Sequence, residues 1–187
     1  ARGLTVKRVE RQDELPWLQG RWHEMVDKSP DASIFSTWDW NSLAVKHFAP
    51  RAPLFTLVAE SGGEPLGLAP LARRKHGGLS TLAFTGTGLS NYSCADYQDV
   101  LLAPGHEERA VGAMLDALDA DGSWDLLWLQ ELPEHSRATP QLVAGAVERG
   151  WRVEQQQDSD CYRVPLTGPY EQWMSGLSAS TRTNIER

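Results

Sequence analysis

The sequence predicts an α/β (α+β) fold, a mixed and mostly antiparallel central sheet flanked by helices. Three observations predict it. Apolar residues recur at helical spacing in the first quarter of the chain, the period becomes that of strands between Leu54 and Thr85, and beyond Asp96 strand-like and helix-like runs alternate.

Taken in order, Leu4 to Val9 alternates as an opening strand, and Leu15, Leu18, Trp22 and Met25 then share one face of a helix. Ser29-Pro30-Asp31 ends that helix. Ser36-x-x-Asp39 has the layout of a capping box and precedes Trp40, Leu43, Ala44 and His47 at helical spacing, with Pro50 and Pro53 closing the second helix. Leu54 to Glu60, Leu66 to Arg74 and Leu79 to Thr85 read as three strands, joined by turns at Ser61-Gly62-Gly63-Glu64 and His76-Gly77-Gly78. The simplest arrangement of these is an antiparallel meander.

A looser stretch, Gly86 to Ala95, leads into the segment that organises the rest, Asp96 to Ala120. Tyr97 to Ala103 is short, increasingly apolar and bounded by Pro104-Gly105, as expected of a strand. Val111, Met114, Leu115 and Leu118 then fall at i, i+3, i+4 and i+7, so they form one apolar stripe on a helix. A strand entering a helix through a glycine turn is a place to hold an anion, because the first-turn N–H groups point outward there. Trp124 to Gln130 is expected as a buried strand, Ser136 to Arg149 as a helix, Trp151 to Gln157 and Tyr162 to Leu166 as strands. Pro169 opens a last helix around Tyr170, Trp173 and Met174, and the residues from Ser180 to Arg187 read as a polar, uncapped tail. With no initiator Met at the start and this tail at the end, the chain is expected to be part of a longer one.

A length of 187 residues corresponds to roughly one domain at about 150 residues each. With 41% hydrophobic and 23% charged residues the chain is neither disordered nor membrane-spanning in composition, and its start lacks the apolar core of a signal peptide. A cytoplasmic location with no membrane span is expected. The net charge of −7 opposes binding to nucleic acid, which depends on clustered Lys and Arg. Cys94 and Cys161 are expected as two free thiols, and the five scattered histidines suggest no metal site. Arg73-Arg74-Lys75-His76, the only basic cluster, reads as a solvated hairpin tip or as a receiver of phosphates. The tryptophans near the start suit core packing or a sugar platform.

Six stretches carry a family resemblance. They are Phe35-Ser-Thr-Trp38-Asp-Trp40, Pro65-Leu-Gly-Leu-Ala-Pro70-Leu71, Asp96-Tyr97-Gln-Asp99, Ala103-Pro104-Gly105, Trp124-Asp125-Leu-Leu-Trp-Leu129 and Ser178-x-x-x-Arg182-x-Asn184-x-x-Arg187. Together they resemble the CelD-like acetyltransferase branch of the GNAT superfamily. That branch is associated with cellulose and exopolysaccharide production and is similar to the Fem-type transferases with two GNAT-like halves. The resemblance implies a GNAT-like domain over residues 1–168, with residues 169–187 beginning the connection to a second half; the uncapped tail itself suggests, alternatively, a homodimer that completes the site with a second copy. It implies transfer of an acetyl or other acyl group from acyl-CoA to a small-molecule or sugar acceptor. It also implies that Val100, Leu101 and Leu102 offer strand backbone to the pantetheine arm, and that Gly105, His106 and Glu107 form the phosphate turn.

The turn departs from the family's Gln/Arg-x-x-Gly-x-Gly/Ala pattern. It has one glycine and no leading Gln or Arg, and Pro104 cannot donate an N–H. Glu107 and Glu108 suit the positive end of the helix dipole but are like charges to a pyrophosphate, which Arg109 would partly offset. The alternative is therefore a GNAT-like structural or acceptor-binding domain that no longer binds acyl-CoA. Asp96, Tyr97 and Asp99 stand at the mouth of the central strand, where a general base would deprotonate an attacking amine; alternation along a strand would put Tyr97 and Asp99 on one face. The plainer reading is polar residues leaving a loop, and the same applies to Ser90-Asn91-Tyr92-Ser93-Cys94 as a substrate-lining turn.

Overall fold

The computed structural model describes residues 3–48, 53–86, 95–157, 160 and 167–186. It falls into two units, Ala1–Glu154 and Gln155–Arg187. In the first, β1 (Leu4–Val9) runs antiparallel to β2 (Thr56–Ser61), with Leu4 opposite Ser61 and Val9 opposite Thr56. The Gly62-Gly63 turn, positive in φ at both residues, returns the chain as β3 (Glu64–Ala69) antiparallel to β2.

The expected middle strand of the meander is bent. Only Pro70 separates β3 from β4 (Leu71–His76), and a proline adds no donor to a ladder. On one flank of this bent strand lies β2 and the chain just before it: Leu54 bridges Ala72, and Phe55 N–H donates to Leu71 O at 2.9 Å. On the other flank, β5 (Leu79–Phe84) pairs with β4, and β6 (Leu101–Leu102) pairs with β3, both antiparallel. Phe84 stands opposite Leu71 and Leu101 opposite Leu68, so β5 and β6 occupy successive parts of one strand position. Thr85 N–H still donates to Pro70 O at 2.8 Å, and the ladder on this flank resumes at Leu101. Arg74 fastens the end of β5, donating to Phe84 O at 2.8 Å. β7 (Leu126–Trp128) runs parallel to β5, so that β4, β5 and β7 make a three-stranded sheet and β1, β2, β3 and β6 a four-stranded one.

The central strand is thus shorter than the sequence suggests. Of Tyr97 to Ala103, only Leu101 and Leu102 form ladder; Tyr97 has a left-handed φ of 53°. Gln98 Nε2 donates to Phe35 O at 3.1 Å and Asp99 Oδ1 accepts from Val100 N–H at 2.7 Å, and such local side-chain bonds compete with strand pairing. Trp124 to Gln130 reduces to three half-buried residues. Trp151 to Gln157 is no strand: the Trp151 ring meets Trp124 at 4.8 Å and its Nε1–H donates to Asp119, after which the chain is polar and largely exposed. The strand expected at Tyr162 to Leu166, the Ser90 to Cys94 turn and both cysteines lie outside the described residues.

Helices cover both faces. α1 (Leu15–Lys28) buries Leu18, Trp22 and Met25 against Val9, Val58, Leu66, Leu68, Leu101 and Ala103. On the opposite face, α3 (Glu107–Asp121) buries Ala110, Val111, Met114, Leu115 and Leu118 against Phe55, Leu57, Ala59, Leu82 and Leu102. The strand residues alternate between these two cores, as the period of two requires. α2 (Trp38–Phe48) starts at Thr37, whose Oγ1 accepts from Trp40 N–H at 3.3 Å. The capping box is one element earlier than expected, between Ser33 and Ser36 on a 3-10 turn, because buried Ser36 bonds backward rather than to Asp39. α4 (Ala138–Glu148) packs on α3 and is capped by Ser136 Oγ, which accepts from the N–H groups of Ala138 and Thr139 at 3.1 and 3.0 Å.

Arg73 and Arg74 do not form a solvated tip. Arg73 donates to Ser123 O at 2.7 Å and stands near Asp121, and only Lys75 and His76 of that cluster are exposed. In the second unit, α5 (Tyr170–Ser175) is followed by α6 (Ala179–Ile185). The tail is not uncapped, since Ser178 Oγ accepts from Thr181 N–H at 3.2 Å and Arg182 donates to Leu177 O at 2.6 Å. Among the described residues no helix is long and apolar enough to cross a membrane.

Two glycines report on how tightly α3 sits on the sheet. A Cβ on Gly67 would stand 2.8 Å from Met114 Cε and 3.0 Å from Ala110 Cβ, whereas one on Gly112 would meet nothing within 4 Å. Gly67→Val is therefore expected to lose about 1–3 kcal/mol through overpacking. Gly112→Ala is expected to gain about 0.5–1 kcal/mol from helix propensity. Urea unfolding of the two variants checks both signs.

Candidate functional site at the return of the central strand

β6 ends at a corner. His106 N–H donates to Ala103 O at 3.1 Å, Gly105 takes a φ of 78°, and α3 begins at once. A cavity of about 570 Å³ opens there, lined by Gly105, His106, Glu107, Glu108, Arg109 and Arg137 among others. The α3 N-cap residue, His106, makes no side-chain cap, and Glu107 and Glu108 stand in the first turn, where the helix dipole favours their charge. Its own backbone N–H and Arg137 hold the Glu107 carboxyl below the usual range. Arg137 bridges two carboxylates, donating from Nη1 to Glu107 at 3.2 Å and from Nε to Asp31 at 2.9 Å. His106 Nδ1 is buried with no hydrogen-bond partner among the described residues.

Register defines what β6 offers on its open edge. Leu101 faces Leu68 and Ala103 N–H donates to Leu66 O at 2.9 Å. By alternation in an antiparallel ladder, the amide and carbonyl of Leu102, and those of Val100 before it, point away from β3. Two of these outward groups already have partners within the chain. Ser29 Oγ, just past the C-terminus of α1, donates to Leu102 O at 3.2 Å, and Val100 N–H donates to Asp99.

The three candidate acid–base residues separate sharply. Asp96 is exposed. Tyr97 is half-buried, and its carbonyl accepts from Ser33 Oγ at 3.4 Å. Asp99 alone is buried, 7% exposed, and the common face expected for Tyr97 and Asp99 does not exist because the segment is not a strand. Burial pushes the Asp99 carboxyl up to about 6, against the Ser136 hydroxyl and Val100 N–H, which favour its charged form; nearby Asp31 pushes the same way as burial. A carboxyl poised there can accept a proton near neutral pH. Ser29, Asp31, Ser136 and Arg137 complete this corner from α1's end and α4's start, and no spacing in the sequence connects them to Asp99.

No family model matches the sequence, and no curated protein matches it. Among solved structures, an aminoglycoside acetyltransferase, HMB0005, from an uncultured soil metagenomic sample is similar at 14% identity over 88% of this chain and 99% of that one, with a TM-score of 0.47. The aminoglycoside N-acetyltransferase AAC(6')-Iy in complex with CoA is similar at 12% identity over 86% of this chain and 98% of that one, TM-score 0.41. A ribosomal-protein-alanine N-acetyltransferase from Brucella melitensis biovar Abortus 2308 is similar at 11% identity over 86% and 99%, TM-score 0.44. Likenesses this distant transfer neither residue roles nor ligands.

The raised Asp99 carboxyl sets a pH dependence. Between its ordinary value of 3.8 and about 6, the folded chain keeps a proton that the unfolded chain releases, so stability falls as pH rises through that window. The loss is on the order of 1–3 kcal/mol. Asp99→Asn is expected to gain that amount relative to the wild type between pH 4 and pH 8, as read by urea unfolding at the two pH values.

Proposed function

We propose that this chain is the GNAT-like domain of an acyl-CoA-dependent acyltransferase, of the CelD-like kind linked to cell-surface polysaccharide, with a small-molecule or sugar acceptor. The observation that carries the reading is Asp99, a buried carboxyl pushed up to about 6 where the chain returns to the sheet just before β6. In this reading Asp99 takes the proton from the acceptor's amine or hydroxyl as it attacks the acyl carbonyl. The acceptor's N–C or O–C bond forms, the thioester C–S bond breaks, and the departing CoA thiolate takes the proton that Asp99 holds. Val100 and Leu102 turn their outward backbone groups to the pantetheine path while Leu101 keeps its own on the β3 ladder, and Gly105, His106 and Arg109, with Glu107 turned onto Arg137, flank the phosphates.

Magnitudes permit this. The Ser29 and Asp99 bonds on the open edge are worth about 0.5–1.5 kcal/mol each, and a pantetheine amide would replace rather than merely remove them. Glu107 and Glu108 would each oppose a pyrophosphate by about 1–4 kcal/mol at ~4 Å, with Arg109 and Arg137 acting in the other direction. The same contacts favour a second reading, a domain that keeps the fold and serves the acceptor or a second GNAT-like half while its own side chains fill the cofactor edge.

Isothermal titration with acetyl-CoA separates the two. The first reading expects saturable binding by the wild type, tightened by Glu107→Gln with Glu108→Gln, and unchanged in Asp99→Asn. Acetyl transfer to glucosamine as the test acceptor is expected to fall by about 10²–10⁴-fold in Asp99→Asn. Absence of heat with both the wild type and the double Gln variant would leave only the second reading.

A further inference from the structure

Gln98 and Asp99 are adjacent in the chain just before β6, and both are buried, at 1% and 7% exposed. Their side chains serve different elements. The Gln98 amide reaches to the 3-10 turn before α2, where Nε2–H donates to Phe35 O at 3.1 Å. The Asp99 carboxyl stands instead beside Ser136 at the start of α4 and accepts from Val100 N–H at 2.7 Å.

The acceptor that Gln98 uses is shared. Phe35 O also accepts from Asn41 Nδ2 at 2.9 Å, and Asn41, itself buried, donates to Thr37 O at 2.9 Å and accepts from Thr85 Oγ1. The start of α2, the end of β5 and the segment before β6 are thereby joined through one carbonyl and two amides. The Gln98 amide also lies close on backbone, since a Cβ on Gly86 would stand 3.0 Å from Nε2. A buried polar network with its bonds made favours one arrangement of the backbone that carries it. Tyr97, immediately before Gln98, has a left-handed φ of 53°, which a residue other than glycine keeps only where its surroundings impose it.

We propose that Gln98 is a positioning residue for acyl transfer: by binding Phe35 O it fixes the segment before β6, so that the adjacent Asp99 carboxyl is aimed at the start of α4 and kept from solvent. The role in transfer rests on the function proposed above, whereas the anchoring of Asp99 does not. Without the Gln98 bond the segment loosens, water reaches the carboxyl, and the burial that opposes its charged form weakens. Asp31 also opposes that form and His135 favours it, and both are unchanged in the variants that test the anchoring.

NMR of the full chain labelled at its aspartate carboxyl carbons, with Asp99→Asn to assign the Asp99 signal, tests this without any ligand. Gln98→Met keeps the bulk of the side chain, and Phe35 O retains its bond from Asn41. In that variant the Asp99 titration midpoint is expected to fall by about one pH unit, a loss of about tenfold in proton affinity. Gly86→Ala crowds the same amide from its other side and is expected to lower the affinity by about threefold. Val58→Ala, a core change on β2, is expected to lower stability and leave the midpoint where it is. An unmoved or raised midpoint in Gln98→Met overturns the proposal, and Gly86→Ala decides in the same way should Gln98→Met not fold. In acetyl transfer to glucosamine, Gln98→Met is expected to lower kcat by about tenfold, to move its rising limb to lower pH, and to leave the KM for acetyl-CoA unchanged. A shifted midpoint with no transfer by the wild type would refute the proposed function and support the anchoring. Transfer by the wild type with an unmoved midpoint would refute the anchoring alone.

Discussion

The larger unit depends on the bent strand formed by β3 and β4. Its two flanks are paired, by β2 on one side and by β5 and β6 on the other, and β3 is covered by α1 on one face and α3 on the other. A strand with both edges and both faces occupied must be apolar nearly throughout, and Pro65 to Ala72 is buried without interruption. The absence of a side chain at Gly67 is part of the same constraint, because Ala110 and Met114 of α3 sit where a Cβ would be.

The bend at Pro70 has a functional consequence. It divides the neighbouring strand position between β5 and β6. Residues 95–100, just before β6, are not strand and are largely buried, so each of their polar groups needs a partner. Gln98 and Asp99 supply several such bonds, and Asp99 is carried into the interior by the return of the chain. Its raised affinity for a proton follows from position more than from neighbours: burial outweighs the Ser136 and Val100 hydrogen bonds that oppose it.

At the Gly105 corner, charge dominates, with Glu107, Glu108, Arg109 and Arg137 around a helix N-terminus, and Arg137 already shared between Glu107 and Asp31. Any ligand there must reorganise ion pairs, which are screened and individually weak at a surface.

Much of this fold was legible in the sequence where a periodic pattern met a single buried face. The α1 stripe at Leu18, Trp22 and Met25 and the α3 stripe from Val111 to Leu118 lie where their spacing puts them, as do β1 and the Gly-Gly hairpins. Short apolar runs were less informative, since a run such as Tyr97 to Ala103 does not distinguish a ladder from a chain returning to one. Trp151 fits a strand pattern equally well as a ring packed on Trp124. The candidate site shows the limit most clearly. The sequence by itself determined that a strand meets a helix through Gly105 with two glutamates in the first turn. Only the tertiary structure decided that Asp99, rather than Asp96 or Tyr97, is the buried acid, and that Ser136 and Asp31 stand beside it. Hydrophobic periodicity is a local signal, whereas burial of a carboxyl and pairing across sheet and helix are set by contacts between residues far apart in the chain.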